Sequence, residues 1–364
     1  MSPEPTPPAG RPDRPGSSRL PAGVRLAGIG DEAGAPLAAQ ITALTTLGWD
    51  TVELRSVDGV ALADLGEVRF ERMVRELAAA GLSVTCVDSR IANWARPVTG
   101  DFTDDLRELE ILATRCTRLG TNRVRVMSYP NDGLPEARWR AEVLARMTEL
   151  TARAEDAGLV LLHENCAGWA GTRADRMLEL LGHVDSPALR LLFDIGNGVA
   201  YGYQAADLLP DIAPYIAHVH VKDAVGTPDD VRYTLPGRGD CRVAEVLSRL
   251  LDHGYTGVWS IEPHLDVRPH EGVAADGDAV TAAFVAYGRE LERLVAGLVP
   301  AADGTPAGDR AADGPASGGP ASDDPAGGGR RPAAPGAGAP GADLPGAGVP
   351  AAHRPATGDP GTAA

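Results

Sequence analysis

Residues 1 to 23 contain no apolar run that would serve as a signal peptide or a membrane span; Pro, Gly, Ser and Arg dominate there. Residues 300 to 364 lack large apolar side chains and consist almost wholly of Ala, Gly, Pro and Asp. Such segments bury too little apolar surface to offset the entropy of ordering, so both are expected to be a disordered arm and a disordered tail. Cysteine is sparse: Cys86, Cys116, Cys166 and Cys241 form neither a CxxC pair nor a dense framework. With no leader, reduced thiols in a cytoplasmic protein are expected, with Cys166 lining a pocket and not acting as a nucleophile. Positive charge is also short. The formal net charge is −16, and the tail, with seven Asp against four Arg, explains little of it. Such a surface repels phosphate backbones and disfavours nucleic acid as a partner. No GxGxxG follows the first apolar run, which counts against dinucleotide binding.

Residues 24 to 299 are different. Short β-branched runs alternate with longer amphipathic stretches, the pattern of repeated βα units around a parallel sheet. The candidate strands are VRLAGI from 24, TVELR from 51, LSVTCVD from 82, RVRVMS from 123, LVLLHE from 159, LRLLFD from 189, IAHVHVKD from 216 and GVWSIE from 257. Helical patterns lie between them, such as LAAQITALTTLG from 37, whose closing glycine suits a helix C-cap. Eight alternations in a segment of this length predict one α/β domain, a closed (β/α)8 TIM barrel, which takes about 250 residues.

In a TIM barrel the chemistry sits at the C-terminal ends of the strands. Here those ends are polar: Glu53 and Arg55; Asp88, Ser89 and Arg90; Arg125 and Ser128; His163, Glu164 and Asn165; Asp194; His218, His220, Lys222 and Asp223; Glu262 and His264. Glu164, Asp194, His220 and Glu262 come from four consecutive strands, which places them on one side of the barrel mouth. Three carboxylates and an imidazole suit one divalent ion: Mn²⁺ foremost, with Mg²⁺, Co²⁺ and Zn²⁺ compatible. Alternation puts His218, His220 and Lys222 on one face of their strand, with His218 deeper as a hydrogen-bonded core histidine.

The chain resembles the xylose isomerase-like TIM barrels, often called sugar phosphate isomerases/epimerases. The resemblance is carried by Asp31 and Glu32, ELR at 53 to 55, HEN at 163 to 165, FDIGN at 193 to 197, HVHVKD at 218 to 223, LPGRGD at 235 to 240 and GYTGVWSIEPH at 254 to 264. It implies the same four metal ligands, a sugar substrate and a homodimer; the lack of an apolar span already disfavours a membrane. Asn197 stands where the ketose 3-epimerases of that family carry a histidine, and Arg238 aligns with their substrate arginine.

Isomerising or epimerising a sugar requires removal of a proton next to a carbonyl, with a metal stabilising the enediolate. Glu164 and Glu262 are expected to be the acid/base pair. Arg55, Arg90, Asn165, Asn197, Lys222 and Arg238 are the expected substrate-binding residues. The cations among them, with Arg125, either hold a phosphate or carboxylate or neutralise the ligand carboxylates. Trp94 and Trp169 are either walls for a sugar ring or packing anchors. The closest alternative is a metal-dependent dehydratase of a keto-inositol. An abasic-site endonuclease and a non-catalytic sugar-binding protein rank lower. Deleting residues 300 to 364 is expected to leave activity unchanged, checked by turnover of the truncated and full-length chains.

Overall fold

The computed structural model describes residues 20–265 and 277–298. Apart from residues 20 to 23, the expected disordered arm and tail lie outside the described residues. Eight strands run parallel: β1 (Arg25–Gly28), β2 (Thr51–Leu54), β3 (Ser83–Asp88), β4 (Arg123–Ser128), β5 (Val160–Gly168), β6 (Leu189–Asp194), β7 (Ile216–Val221) and β8 (Val258–Ile261). Their order is β1-β8-β7-β6-β5-β4-β3-β2, and a bridge between Ile29 and Glu53 joins the two ends into a ring. This is the expected (β/α)8 barrel. The strands are buried on both faces, which is why they read as near-continuous apolar runs.

Each strand is followed by a helix: α1 (Leu37–Leu47), α2 (Glu67–Ala79), α3 (Phe102–Leu119), α4 (Glu136–Asp156), α5 (Ala174–Val184), α6 (Ala205–Ile212), α7 (Val243–Asp252) and α8 (Asp278–Leu298). Local chemistry sets several ends. Gly48 closes α1 with φ 74°, its N–H bonded to the last-turn carbonyls of Leu44 and Thr45. The Asp101 carboxylate opens α3 by accepting from the Thr103 N–H at 2.9 Å.

The main core lies between the strands and the helices, while Cys86, Leu162 and Leu192 form a separate small cluster inside the barrel. Side chains alternate along a strand, so two residues beyond these three the inward positions are Asp88, Glu164 and Asp194 at the mouth. The sequence pattern did not resolve two hairpins. Ser56–Val57 pairs with Val60–Ala61 after β2, and Asp223–Thr227 pairs with Asp230–Thr234 after β7. The second makes up much of the long β7–β8 connection. It is tied down by the Asp223 carboxylate, which accepts from the backbone N–H groups of Ala224, Gly237, Gly239 and Cys241 at 2.8–3.2 Å. Gly239 is required there, because a Cβ would stand 2.2 Å from Asp223 Oδ1.

Helix α8 seals the barrel wall beside β1. A Cβ on Gly28 would lie 2.5 Å from the Phe284 ring and 2.9 Å from Ile261. Gly28→Ala is therefore expected to destabilise the fold by about 1–3 kcal/mol, as overpacked cores do; thermal unfolding checks this.

Candidate metal centre

The β6 end is shaped by its own backbone. Asp194 Oδ1 accepts from the N–H groups of Gly196 and Asn197 at 2.7 and 2.8 Å, where the helical turn Asn197–Tyr201 begins. Asn165 clips β5 to β6: its Oδ1 accepts from the Asp194 N–H at 2.7 Å and its amide donates to the Asp194 carbonyl at 2.8 Å. With Oδ1 engaged and the backbone held, Asp194 Oδ2 is turned toward His220. Glu164 is set by Arg125, which donates to Oε2 at 2.9 Å, and by Asn197, which donates to Oε1 at 3.0 Å. Glu262 follows the last residue of β8 and takes Arg55 on Oε1 at 2.8 Å.

These groups converge on one atom. His220 Nδ1 stands 3.6 Å from Glu164 Oε1, 3.8 Å from Asp194 Oδ2 and 3.5 Å from Glu262 Oε2, and it has no hydrogen-bond partner. All four side chains are buried. Ligand atoms of the four lie within 4.8 Å of one another. Oxygen and nitrogen ligands about 2.1 Å from a shared ion stand about 3–3.5 Å apart, so the donor set fits a divalent cation, toward which the side chains would close by a few tenths of an ångström. Three carboxylates facing an unpartnered imidazole nitrogen also favour a positive charge between them. The Lys222 ammonium supplies one nearby, 2.9 Å from Asp194 Oδ2 and 2.6 Å from Glu262 Oε2.

The electrostatics follow from burial set against these pairings. Burial alone would raise the Glu164 carboxyl, but Arg125 and His220 outweigh it and hold it at about 2. Burial likewise works against the ionised Glu262, yet Lys222, His264 and His220 keep it well below the usual range. Asp194 is pushed up to about 6, because burial dominates the opposing pull of Lys222. Burial disfavours protonated His220, but Glu53 and its other carboxylate neighbours raise its affinity for a proton well above the ordinary value. Cys166 is pushed up to about 12, chiefly by burial, so it is no thiolate nucleophile near neutrality.

Above this cluster a small cavity opens, and both Glu164 and Glu262 reach it. Of the expected substrate-binding residues, Arg55, Asn197 and Lys222 line it, as do Trp94, Arg125 and Cys166. Asn165 lies beneath as the β5–β6 clip. Arg90 and Arg238 are not among its lining residues: Arg90 pairs with Asp64 and Glu108, and the exposed Arg238 pairs with Glu290. Both sit on connections whose course the strand pattern does not set. Trp169 is a buried packing anchor, its indole N–H donating to Glu136 at 2.8 Å. Sequence reasoning missed Tyr233, which the hairpin brings into the wall, where its ring meets His264 edge-on at 4.8 Å. The sequence placed Glu53 at the polar end of β2 and in the ELR motif without a role; its carboxylate lies beneath His220.

An eight-stranded parallel barrel with a carboxylate–imidazole cluster at the C-terminal ends of its strands defines a class of TIM-barrel protein. The chain belongs to the xylose isomerase-like TIM barrel family, whose model matches residues 41–282. Over 140 residues it is 34% identical to a 2-epi-5-epi-valiolone 7-phosphate 2-epimerase from Actinoplanes sp., a match covering 38% of this chain and 49% of that protein. Over 148 residues it is 26% identical to an inosose dehydratase from Clostridium perfringens, covering 36% and 50%. The chain thus spans about half the length of these curated relatives. Among solved structures, the IOLI protein with a bound zinc atom superposes with a TM-score of 0.61 at 15% identity, covering 76% of this chain and 100% of that one; the likeness is one of fold. Among the described residues no helix is long and apolar enough to cross a membrane.

His163, next to Glu164, is fully buried with both ring nitrogens unpartnered. Burial, only partly opposed by Glu164, pushes its pKa from 6.5 down to about 4. The unfolded chain therefore takes up a proton that the folded chain refuses. This stability is fully present above about pH 6.5 and is lost as pH falls toward 4, by about 3 kcal/mol at most. Urea unfolding of wild type and His163→Leu across that window is expected to show a shallower pH dependence for the variant.

Proposed function

We propose that the chain is a divalent-metal-dependent sugar isomerase or epimerase that removes a proton α to a carbonyl. The observation that carries this reading is the convergence of Glu164, Asp194 and Glu262 on the unpartnered Nδ1 of His220, directly beneath a cavity that only the two glutamates of this set reach. Glu164, Asp194, His220 and Glu262 would hold the ion. When bound, it would supply Lewis-acid polarisation of the substrate carbonyl.

Asp194 and His220, wholly buried, serve as ligands alone, while Glu164 and Glu262 also face the substrate and exchange its proton. Both are weak bases as they stand, because Arg125, Arg55 and Lys222 hold them ionised. A shift of the Lys222 ammonium from Glu262 to a substrate oxygen strengthens Glu262 as a base and stabilises the oxyanion in the same step. Cofactor, enzyme class and the sugar partner all rest on this reading, which the named activities of the two curated relatives support.

The cations of the wall bear on the substrate. Arg55 spends Nε, Nη1 and Nη2 on Asp31, Glu32 and Glu262, and Lys222 meets Asn197, Asp194 and Glu262. Arg125 holds Glu164 and the Ser89 carbonyl. A phosphate would have to strip these cations from buried carboxylates, whereas a hydroxyl or carbonyl oxygen needs one N–H. An unphosphorylated polyhydroxy ketone suits the described residues best. Elimination of water from a keto-inositol would use the same proton abstraction, and the inosose dehydratase relative favours keeping it as the second reading.

Glu164→Gln and Glu262→Gln, assayed on the manganese-loaded protein with a panel of ketoses and inososes, are each expected to cut turnover by a factor on the order of 10²–10⁴. Deuterium uptake at the α-carbon reports proton abstraction, and a new ultraviolet band separates dehydration from epimerisation. Full turnover in either variant removes that residue from the pair.

A further inference from the structure

Glu53, at the end of β2, is fully buried inside the barrel. The β2–β3 register shifts between Val52 and Glu53, an irregularity of the kind that re-aims a side chain. The Glu53 carboxylate lies between two imidazoles: Oε2 is 2.8 Å from His218 Nε2 and Oε1 is 3.0 Å from His220 Nε2. An ionised carboxylate can only accept, so both rings must donate from Nε2. In the neutral His220 ring this leaves Nδ1 as a bare lone pair, and Nδ1 is the atom that faces Glu164, Asp194 and Glu262.

We infer that Glu53 is a positioning residue for the metal centre: it fixes the tautomer and the orientation of His220, with His218 as the second anchor of its carboxylate. The inference rests on the metal-centre reading above. Histidine ligands are oriented in this way by a partner on the far ring nitrogen. The rival role, Glu53, His218 and His220 as ligands of a second ion, would load both nitrogens of the His220 ring with metal, whereas both contacts have the length and partners of N–H···O hydrogen bonds. Glu53 also accounts for a polar residue deep in the barrel that the proposed chemistry does not itself use.

The test is Co²⁺ titration of the metal-free full-length chain, read by calorimetry and by the visible absorption of the bound ion, for wild type, Glu53→Gln and Asp194→Asn. Expected are one ion per wild-type chain and 10- to 100-fold weaker binding with an altered visible spectrum in Glu53→Gln. Nitrogen-15 spectra of the imidazoles, recorded on protein loaded with diamagnetic Zn²⁺, are expected to place the His220 proton on Nε2 in wild type and to lose that single tautomer in Glu53→Gln. Thermal unfolding of the metal-free proteins separates this from misfolding, and Glu53→Asp replaces Glu53→Gln if the latter does not fold.

Unchanged affinity and spectrum in Glu53→Gln, with binding lost in Asp194→Asn, overturns the role of Glu53 and leaves the metal centre standing. Two ions in wild type and one in Glu53→Gln overturns it in favour of a ligand role. No Co²⁺ bound by wild type overturns the metal-centre reading itself, and this inference falls with it.

Discussion

Five carboxylates, those of Asp31, Glu32, Glu164, Asp194 and Glu262, are buried together at one end of the barrel, and the arrangement around them answers the cost of that burial. Isolated ionised carboxylates in such surroundings would take up protons or disrupt the fold. Arg55, Arg125 and Lys222 neutralise part of the charge and occupy the cavity wall in doing so. The remainder gathers around His220 Nδ1, where a divalent ion would balance it. Charge compensation accounts at once for the fully engaged cations of the wall and for the low proton affinity of Glu164 and Glu262, and it is the ground on which an uncharged substrate is proposed.

The barrel makes this concentration of charge geometrically cheap. Parallel strands all end at the same mouth, so one polar residue at each of several strand ends converges without any strand giving up its buried apolar pattern. Behind the mouth the polar structure continues downward. Glu53 braces His220 from within, Asn165 clips β5 to β6, and Asp223 anchors the hairpin that carries Tyr233 to the wall. Buried hydrogen bonds thus help to hold the residues around the cavity in place, as satisfied polar networks do.

Sequence alone carried the eight strands, because their buried faces leave continuous apolar runs and their spacing leaves room for one helix each. It also carried the convergence of Glu164, Asp194, His220 and Glu262, since each closes such a run and period-two alternation orients it. It could not separate Arg55 and Lys222, which line the cavity, from Arg90 and Arg238, which do not: all four are cations near strand ends or in connections, and only the partners they meet distinguish them. Nor could it separate Trp94 from Trp169.

What the sequence by itself determined is the order of the barrel and the residue types at its mouth, because both follow from local periodicity. Only the tertiary structure decided what those residues face. The pairing of Glu53 with His218 and His220 spans 165 and 167 residues and sits at a register shift in β2 that no local pattern records. Tyr233 reaches the wall on a hairpin that the Asp223 carboxylate ties down by gathering three backbone N–H groups from the turn at Gly237 to Cys241, besides that of its neighbour Ala224. Contacts of this range are set by closing the ring of strands, and a chain read residue by residue carries no measure of that closure.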